Sequence, residues 1–152
     1  MDSINKLINI FREFPTVGPR TAGRFVYYLI KLPKEKIDEL TNAIQELKNK
    51  IKLCEFCFNP FEGEGRLCPI CQNPSRNKNL LCVVEKEVDL ISIEATKKFN
   101  GVYFILINNS RIEEFKKRVK DNNFSEIIIA LNPTPEGRAT SALVESAIKE
   151  IN

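Results

Sequence analysis

Cys54-Glu55-Phe56-Cys57-Phe58-Asn59-Pro60-Phe61-Glu62-Gly63-Glu64-Gly65-Arg66-Leu67-Cys68-Pro69-Ile70-Cys71 sets two Cys-x-x-Cys pairs ten residues apart. Each pair fits a tight turn that points both sulfurs at one spot. Four thiolates around one Zn²⁺ at ~2.3 Å make a closed tetrahedral site, which leaves no position for water. The spacing therefore points to a structural zinc held by Cys54, Cys57, Cys68 and Cys71. Gly63 and Gly65 allow the loop to fold back, and Pro60 and Pro69 stiffen its ends. The other readings of these cysteines are two disulfides or four unrelated thiols. No basic region followed by an apolar core opens the chain, so no secretion signal is expected, and a reducing cytoplasm disfavours disulfides.

Composition narrows the chemistry. The 152 residues carry 23 Lys/Arg and 20 Asp/Glu, a formal charge of +3, and no histidine. The absence of histidine excludes His-based triads and removes the commonest general base. No apolar run is long enough for a membrane span, so the expectation is a soluble cytoplasmic protein. The basic surplus is local: residues 1–53 hold ten Lys/Arg against six Asp/Glu, whereas residues 81–152 hold ten against eleven. A polyanion is therefore expected to engage the first third.

That first third reads as helices. Ile4, Leu7, Ile8, Phe11 and Phe14 follow the i, i+3, i+4, i+7 rule, giving a helix over 3–14 that Pro15 ends. Val17-Gly18-Pro19 reads as a tight turn, after which Arg20 or Thr21 opens a second helix with Ala22, Phe25, Val26 and Leu29 on its buried side. Helix, hairpin, helix is a way to hold DNA: backbone N–H groups at the hairpin and helix start face a phosphate, and Arg20 and Arg24 add charge-assisted contacts. Gly18, Arg20 and Arg24 are the candidate DNA-binding residues. The plainer reading is an αα-hairpin with a surface turn. Ile37, Leu40, Ile44, Leu47 and Ile51 form a seam on a third helix, expected to pack inside the chain in preference to against a second subunit.

The last half alternates. Leu80–Val84, Val102–Ile107 and Glu126–Leu131 read as strands. Helices are expected over Val88–Ala95, from a Ser110-Arg111-Ile112-Glu113 capping box to about Lys120, and from Pro135 onward behind a Thr134 cap. The last helix is expected to bury Ala139, Leu143, Ala147 and Ile151, or a face close to it. The order β-α-β-α-β-α predicts a small parallel sheet, with its functional edge at Glu85, Asn109 and Asn132–Arg138. Cys82, inside the first strand, reads as a small buried apolar residue.

Three modules in this order, an α+β arrangement, resemble the RecR family of bacterial recombination mediators. The stretches that carry the resemblance are Phe14-Pro15-Thr16-Val17-Gly18-Pro19-Arg20-Thr21-Ala22, the four cysteines, Asn73-Pro74-Ser75-Arg76, Cys82-Val83-Val84-Glu85 and Ala130-Leu131-Asn132-Pro133-Thr134-Pro135-Glu136-Gly137. The resemblance implies a helix-hairpin-helix domain over 1–53, a Cys₄ zinc finger over 54–79 and a C-terminally shortened Toprim-like α/β domain over 80–152. It also implies a non-enzymatic role in DNA repair, homo-oligomers, and action with RecO and RecF to load the recombinase RecA on gapped DNA. Arg20 is then the leading DNA contact, and Glu85 and Glu136 mark an acidic or partner-binding patch. The chain departs from the family pattern at Thr16, where the family has glycine, and at Arg138, where it usually has an acid. The loop near Asn108–Ser110 is shorter, and the family continues beyond the position of Asn152.

Two further readings stand beside the mediator. One is a zinc-ribbon adaptor that binds only protein. The other is a Mg²⁺-dependent Toprim nuclease, which needs several carboxylates converging on the metal; Glu85 fits one of them, but Asn132-Pro133-Thr134 stands where a second acidic cluster is needed.

Overall fold

The computed structural model describes residues 1–151. They fall into two compact units, Met1–Asn49 and Lys50–Asn152. Compactness thus divides the chain in two, and the cysteine loop lies in the same unit as the sheet.

The first unit is helical. In α1 (Ser3–Arg12) the Asp2 carboxylate caps the start, accepting from the Asn5 N–H at 2.8 Å. The helix stops at Arg12, short of the expected Phe14, because the chain is already turning toward Pro15. In α2 (Pro19–Lys31) Pro19 takes the first helical position, where no N–H is needed. α1 and α2 pack on one another. The Phe11 ring meets Phe14 and Phe25 edge-on, each with centroids 5.6 Å apart. Ala22 and Val26 are the fully buried side chains of this pair; Phe25, expected inside, is 41% exposed. The third helix, α3 (Lys34–Lys50), buries none of its residues. Leu40, Ile44 and Leu47 are 43%, 55% and 61% exposed, so the expected intramolecular seam is not formed among the described residues. Leu40 borders an open groove with Tyr28, Leu29 and Leu32, which leaves the seam largely exposed.

The second unit is built on a three-stranded sheet. A short antiparallel ladder, β1 (Lys52–Leu53) with β2 (Pro60–Phe61), and one helical turn, α4 (Pro69–Gln72), carry the cysteines. Then follow β3 (Leu80–Val84), α5 (Glu87–Ala95), β4 (Val102–Ile105), α6 (Ile112–Asp121), β5 (Glu126–Ala130) and α7 (Pro135–Ile151). The sheet order is β4-β3-β5, with β3 parallel to both neighbours and Val83 opposite Phe104 and Ile129. Strand alternation sorts the core. Leu81, Val83, Val102, Phe104 and Leu106 share one face with Phe115 and Val119 of α6 and Val144 and Ala147 of α7. Cys82, Val84, Tyr103 and Ile105 share the other with Leu90 of α5, Phe61 and the four loop cysteines. The cysteine loop thus fills part of a layer that a helix would otherwise occupy.

Three local expectations are corrected. β4 ends at Ile105, although N–H groups of Leu106 and Ile107 still donate to Val84 and Glu85 carbonyls, because Ile107 and Asn108 adopt φ of 47° and 56° to make the short turn. Ser110 does not cap α6; its hydroxyl donates to the Leu106 and Ile107 carbonyls, and the N-cap is Arg111. α7 buries Gly137, Thr140, Val144 and Ala147, whereas Ala139 and Leu143 face outward. The Thr134 hydroxyl does cap α7, accepting from the Gly137 N–H at 3.0 Å.

Candidate metal centre and nucleic-acid face

Backbone turns fix the four sulfurs. The Phe58 N–H donates to the Cys54 carbonyl at 2.9 Å and the Cys54 N–H to the Asn59 carbonyl at 3.0 Å, closing the first knuckle. The second closes as Cys68 caps α4 and its carbonyl accepts from the Gln72 N–H at 3.0 Å. A bond from the Glu55 N–H to the Arg66 carbonyl clamps the two ends of the loop. Gly63 and Gly65, with φ of 146° and 83°, turn the connection back as expected.

The cysteine sulfurs all lie within 4.8 Å of one another and are buried. Cys57 and Cys68 sulfurs are 3.6 Å apart, far beyond a bonded S–S length of about 2.05 Å, and all four cysteines are free. Ligands at ~2.3 Å in a tetrahedron stand about 3.8 Å apart, so the spacing fits a single enclosed ion. N–H groups of Asn59 and Cys68 donate to the Cys57 and Cys54 sulfurs at 3.4 and 3.3 Å, as thiolate ligands favour. Cys54 is drawn well below the ordinary thiol range by hydrogen bonding from Cys57, then from Cys68 and Cys71. Cys71 is driven far up, first by Cys54 and then by Cys57 and Cys68. Opposite shifts at like groups reflect crowding: one thiolate is sheltered by its neighbours' S–H groups, and further ionisation is repelled. A divalent cation removes that conflict. Cys82 stands apart, its thiol pushed up to about 11 by burial.

Two arginines that the sequence reading passed over fasten the first knuckle to the sheet unit. Arg118 of α6 donates to the carbonyls of Glu55 and Phe56, at 2.6 and 3.1 Å, and lies over the Phe56 ring. Arg111 lies over the Phe58 ring and donates to the Ile105 carbonyl. Arg76, just past the second knuckle, forks onto Glu94 of α5 at 2.8 and 2.5 Å, and the Tyr103 hydroxyl donates to the same carboxylate at 2.7 Å. No short-range pattern links 111 or 118 to 56 and 58, so spacing alone could not reveal these contacts.

At the carboxyl ends of the strands, Glu85 accepts from the Asn132 side-chain amide at 2.9 Å. Glu136 lies in the first turn of α7. Neither joins a set of three or more His, Cys, Asp or Glu side chains close enough to share an ion; among the described residues the four cysteines alone do so.

In the first unit the turn spans Phe14–Val17, ahead of the expected Val17–Pro19. The Val17 N–H donates to the Phe14 carbonyl at 3.2 Å, and Thr16 takes a φ of 64°. With Pro15 second and a left-handed residue third, this is the pattern of a type II turn. Gly18 is extended and serves as N-cap of α2 without a side chain to occupy the helix start. Arg20 and Arg24 are exposed, one turn apart. They line a concavity of about 550 Å³ with Pro19, Gly23, Tyr27, Tyr28 and Lys31. Lys31 continues the i, i+4, i+7, i+11 row from Arg20, a polar periodicity legible in the sequence but missed beside the apolar one.

Comparison with known proteins agrees with both units. Residues 4–48 match the family model described as RecR, helix-hairpin-helix, and residues 79–150 match a Toprim domain. The Recombination protein RecR of Dehalococcoides mccartyi is 37% identical over 96% of this chain and 76% of its own length. Its counterpart from Bifidobacterium adolescentis is 35% identical, covering 97% and 78% respectively. That of Rubrobacter xylanophilus is 34% identical, covering 98% and 79%.

Proposed function

This chain belongs to the RecR family of recombination proteins, and on that premise we propose that it is a non-enzymatic, DNA-binding mediator in DNA repair. The observation that carries the reading is the cationic face of α2. Arg20 stands at a helix start that no side chain caps, and Arg24 and Lys31 carry the basic row along α2 to its last residue. Among the described residues none of the three is engaged in an ion pair. Such a face neutralises phosphates with little sequence preference. Gly18 keeps the helix start open, and Arg20 and Arg24 supply the charge. By family likeness the chain acts with RecO and RecF to load RecA on gapped DNA in the cytoplasm. Among the described residues no helix is long and apolar enough to cross a membrane.

The metal is Zn²⁺ in this proposal: Cys54, Cys57, Cys68 and Cys71 would hold it, and it supplies a cross-link and charge balance, not chemistry on a substrate. The uncovered α3 seam and the small core of the first unit support a homo-oligomer. The nuclease reading loses support because Glu85 is committed to Asn132 and no carboxylate cluster forms among the described residues. The adaptor reading loses support because the cysteine loop is spent on the core of the sheet; Glu85 and Glu136 remain the candidates for partner contact.

Titration of labelled DNA at rising salt tests the reading. Each phosphate contact contributes roughly 0.7–0.9 to the slope of log affinity against log salt. The Arg20→Ala, Arg24→Ala double variant should weaken binding and flatten the slope by about 1.4 to 1.8. Unchanged affinity and slope would remove α2 as the DNA-binding face.

A further inference from the structure

The basic face of α2 is interleaved with aromatics. Tyr27 and Tyr28 are 56% and 64% exposed and line the same concavity as Arg20, Arg24 and Lys31. All charged groups lining it are cationic. Tyr28 also borders a groove formed with Leu29, Leu32 and Leu40. Residues 20 to 31 span about 16 Å of helix, enough for roughly five nucleotides at stacked spacing of ~3.4 Å.

Gly23 supplies an independent observation. It sits inside α2, where glycine is less favourable than alanine. It has no positive φ, and a Cβ built on it meets no atom within 4 Å. Nothing among the described residues requires the missing side chain. The space it leaves open adjoins the concavity, of which Gly23 is itself a lining residue.

We propose that Tyr27 and Tyr28 stack the unpaired bases of a single DNA strand whose phosphates Arg20, Arg24 and Lys31 hold, with Gly23 leaving room for the strand. The inference rests on the DNA-binding reading above and narrows its ligand to single-stranded DNA. A duplex keeps its bases stacked within itself and offers the tyrosines only sugar and phosphate. Base–aromatic stacking tolerates any sequence, since every base has a π-face.

The full chain is titrated with an oligothymidylate, an abasic strand of equal length and a duplex. Tyrosine emission is a direct readout, because the chain has three tyrosines and no tryptophan. The third, Tyr103, is buried. Oligothymidylate should quench the emission, and the abasic strand should not. Tyr27→Ala and Tyr28→Ala should each weaken oligothymidylate binding roughly fivefold to a hundredfold, and leave abasic-strand binding unchanged. The paired Tyr→Phe variant should bind normally with the quenching lost. Gly23→Leu should retain its helical circular dichroism and bind more weakly. If Arg20→Ala and Arg24→Ala weaken every ligand while the alanine variants at 27 and 28 bind oligothymidylate normally, stacking is overturned and phosphate binding survives. If none of these variants changes binding, both readings fall. A change in assembly mass in the tyrosine variants, read by light scattering, would also overturn the proposal, assigning the face to contact between copies.

Discussion

Thr16 holds the left-handed position of the Phe14–Val17 turn, with φ 64°. A β-branched residue pays roughly 1–2 kcal/mol there, and glycine recovers most of it less the entropy it gains in the unfolded chain. Thr16→Gly should therefore stabilise the helical unit by about 1 kcal/mol, read as a higher midpoint in a helical circular-dichroism melt. Arg76 and Glu94 make the opposite case, a pair only 14% and 25% exposed that joins the cysteine loop's exit to α5. Arg76→Ala should cost about 2–4 kcal/mol by urea titration, since it leaves Glu94 and the Phe99 and Gly101 carbonyls short of a donor. Hydrogen bonding from Arg76 holds the Glu94 carboxyl below its ordinary value of 4.5. The folded state therefore binds that proton more weakly than the unfolded chain. The pair's contribution is present above about pH 4.5 and is lost as pH falls through the lower folded value. The gap in stability between wild type and Arg76→Ala should narrow below that pH. Gly137 is fixed for another reason: a Cβ there would run into the Asn132 carbonyl. Gly137→Ala should push the 132–136 loop away and lower stability by about 1–3 kcal/mol, checked in the same titration.

Among the elements, the cysteine loop has the largest mechanical role. Its four sulfurs pack in one cluster with Cys82, Val84, Tyr103 and Ile105 of the sheet, and the Ile105 N–H donates to the Cys57 carbonyl at 3.1 Å. Removal of the proposed metal should therefore unfold more than the loop. Chelation is expected to strip hydrogen-exchange protection from β3 and β4 together with residues 54–71. Retained protection in β3 and β4 after the metal is gone would show that the sheet stands without it. The strands and their parallel order were legible because β-branched runs separated by helical repeats admit few arrangements. The exact inward face of α7 was not. Leu143 and Val144 are both apolar, and the close seat of Gly137 on Asn132 rotates the helix so that Val144 is the one buried. Nor was the start of α6, where Ser110 is diverted by the left-handed turn at Ile107 and Asn108.

Across the whole chain, stability and charge are unevenly distributed. The unit Lys50–Asn152 has core on both faces of its sheet. The unit Met1–Asn49 fully buries only Ala22 and Val26, and so small a core is marginal alone. Leu40, Ile44 and Leu47 on α3 supply apolar surface that a second copy could cover. Replacing Ile44 and Leu47 by glutamate should lower the assembly mass measured by light scattering without unfolding the sheet unit. An unchanged mass would exclude the α3 seam from any assembly. Tyr28 borders both the cationic concavity and the groove with Leu40, so phosphate binding and subunit contact meet at that residue.

The sequence alone determined the cysteine quartet, the parallel order of the strands and the arginine pair of α2, because each is written in local spacing or repeat. Only the tertiary structure decided that the cysteine loop belongs to the core of the sheet, that Arg111 and Arg118 bind it there, and that α3 is left uncovered. Those outcomes depend on contacts between residues far apart in the chain, where packing and burial, not periodicity, select the partner.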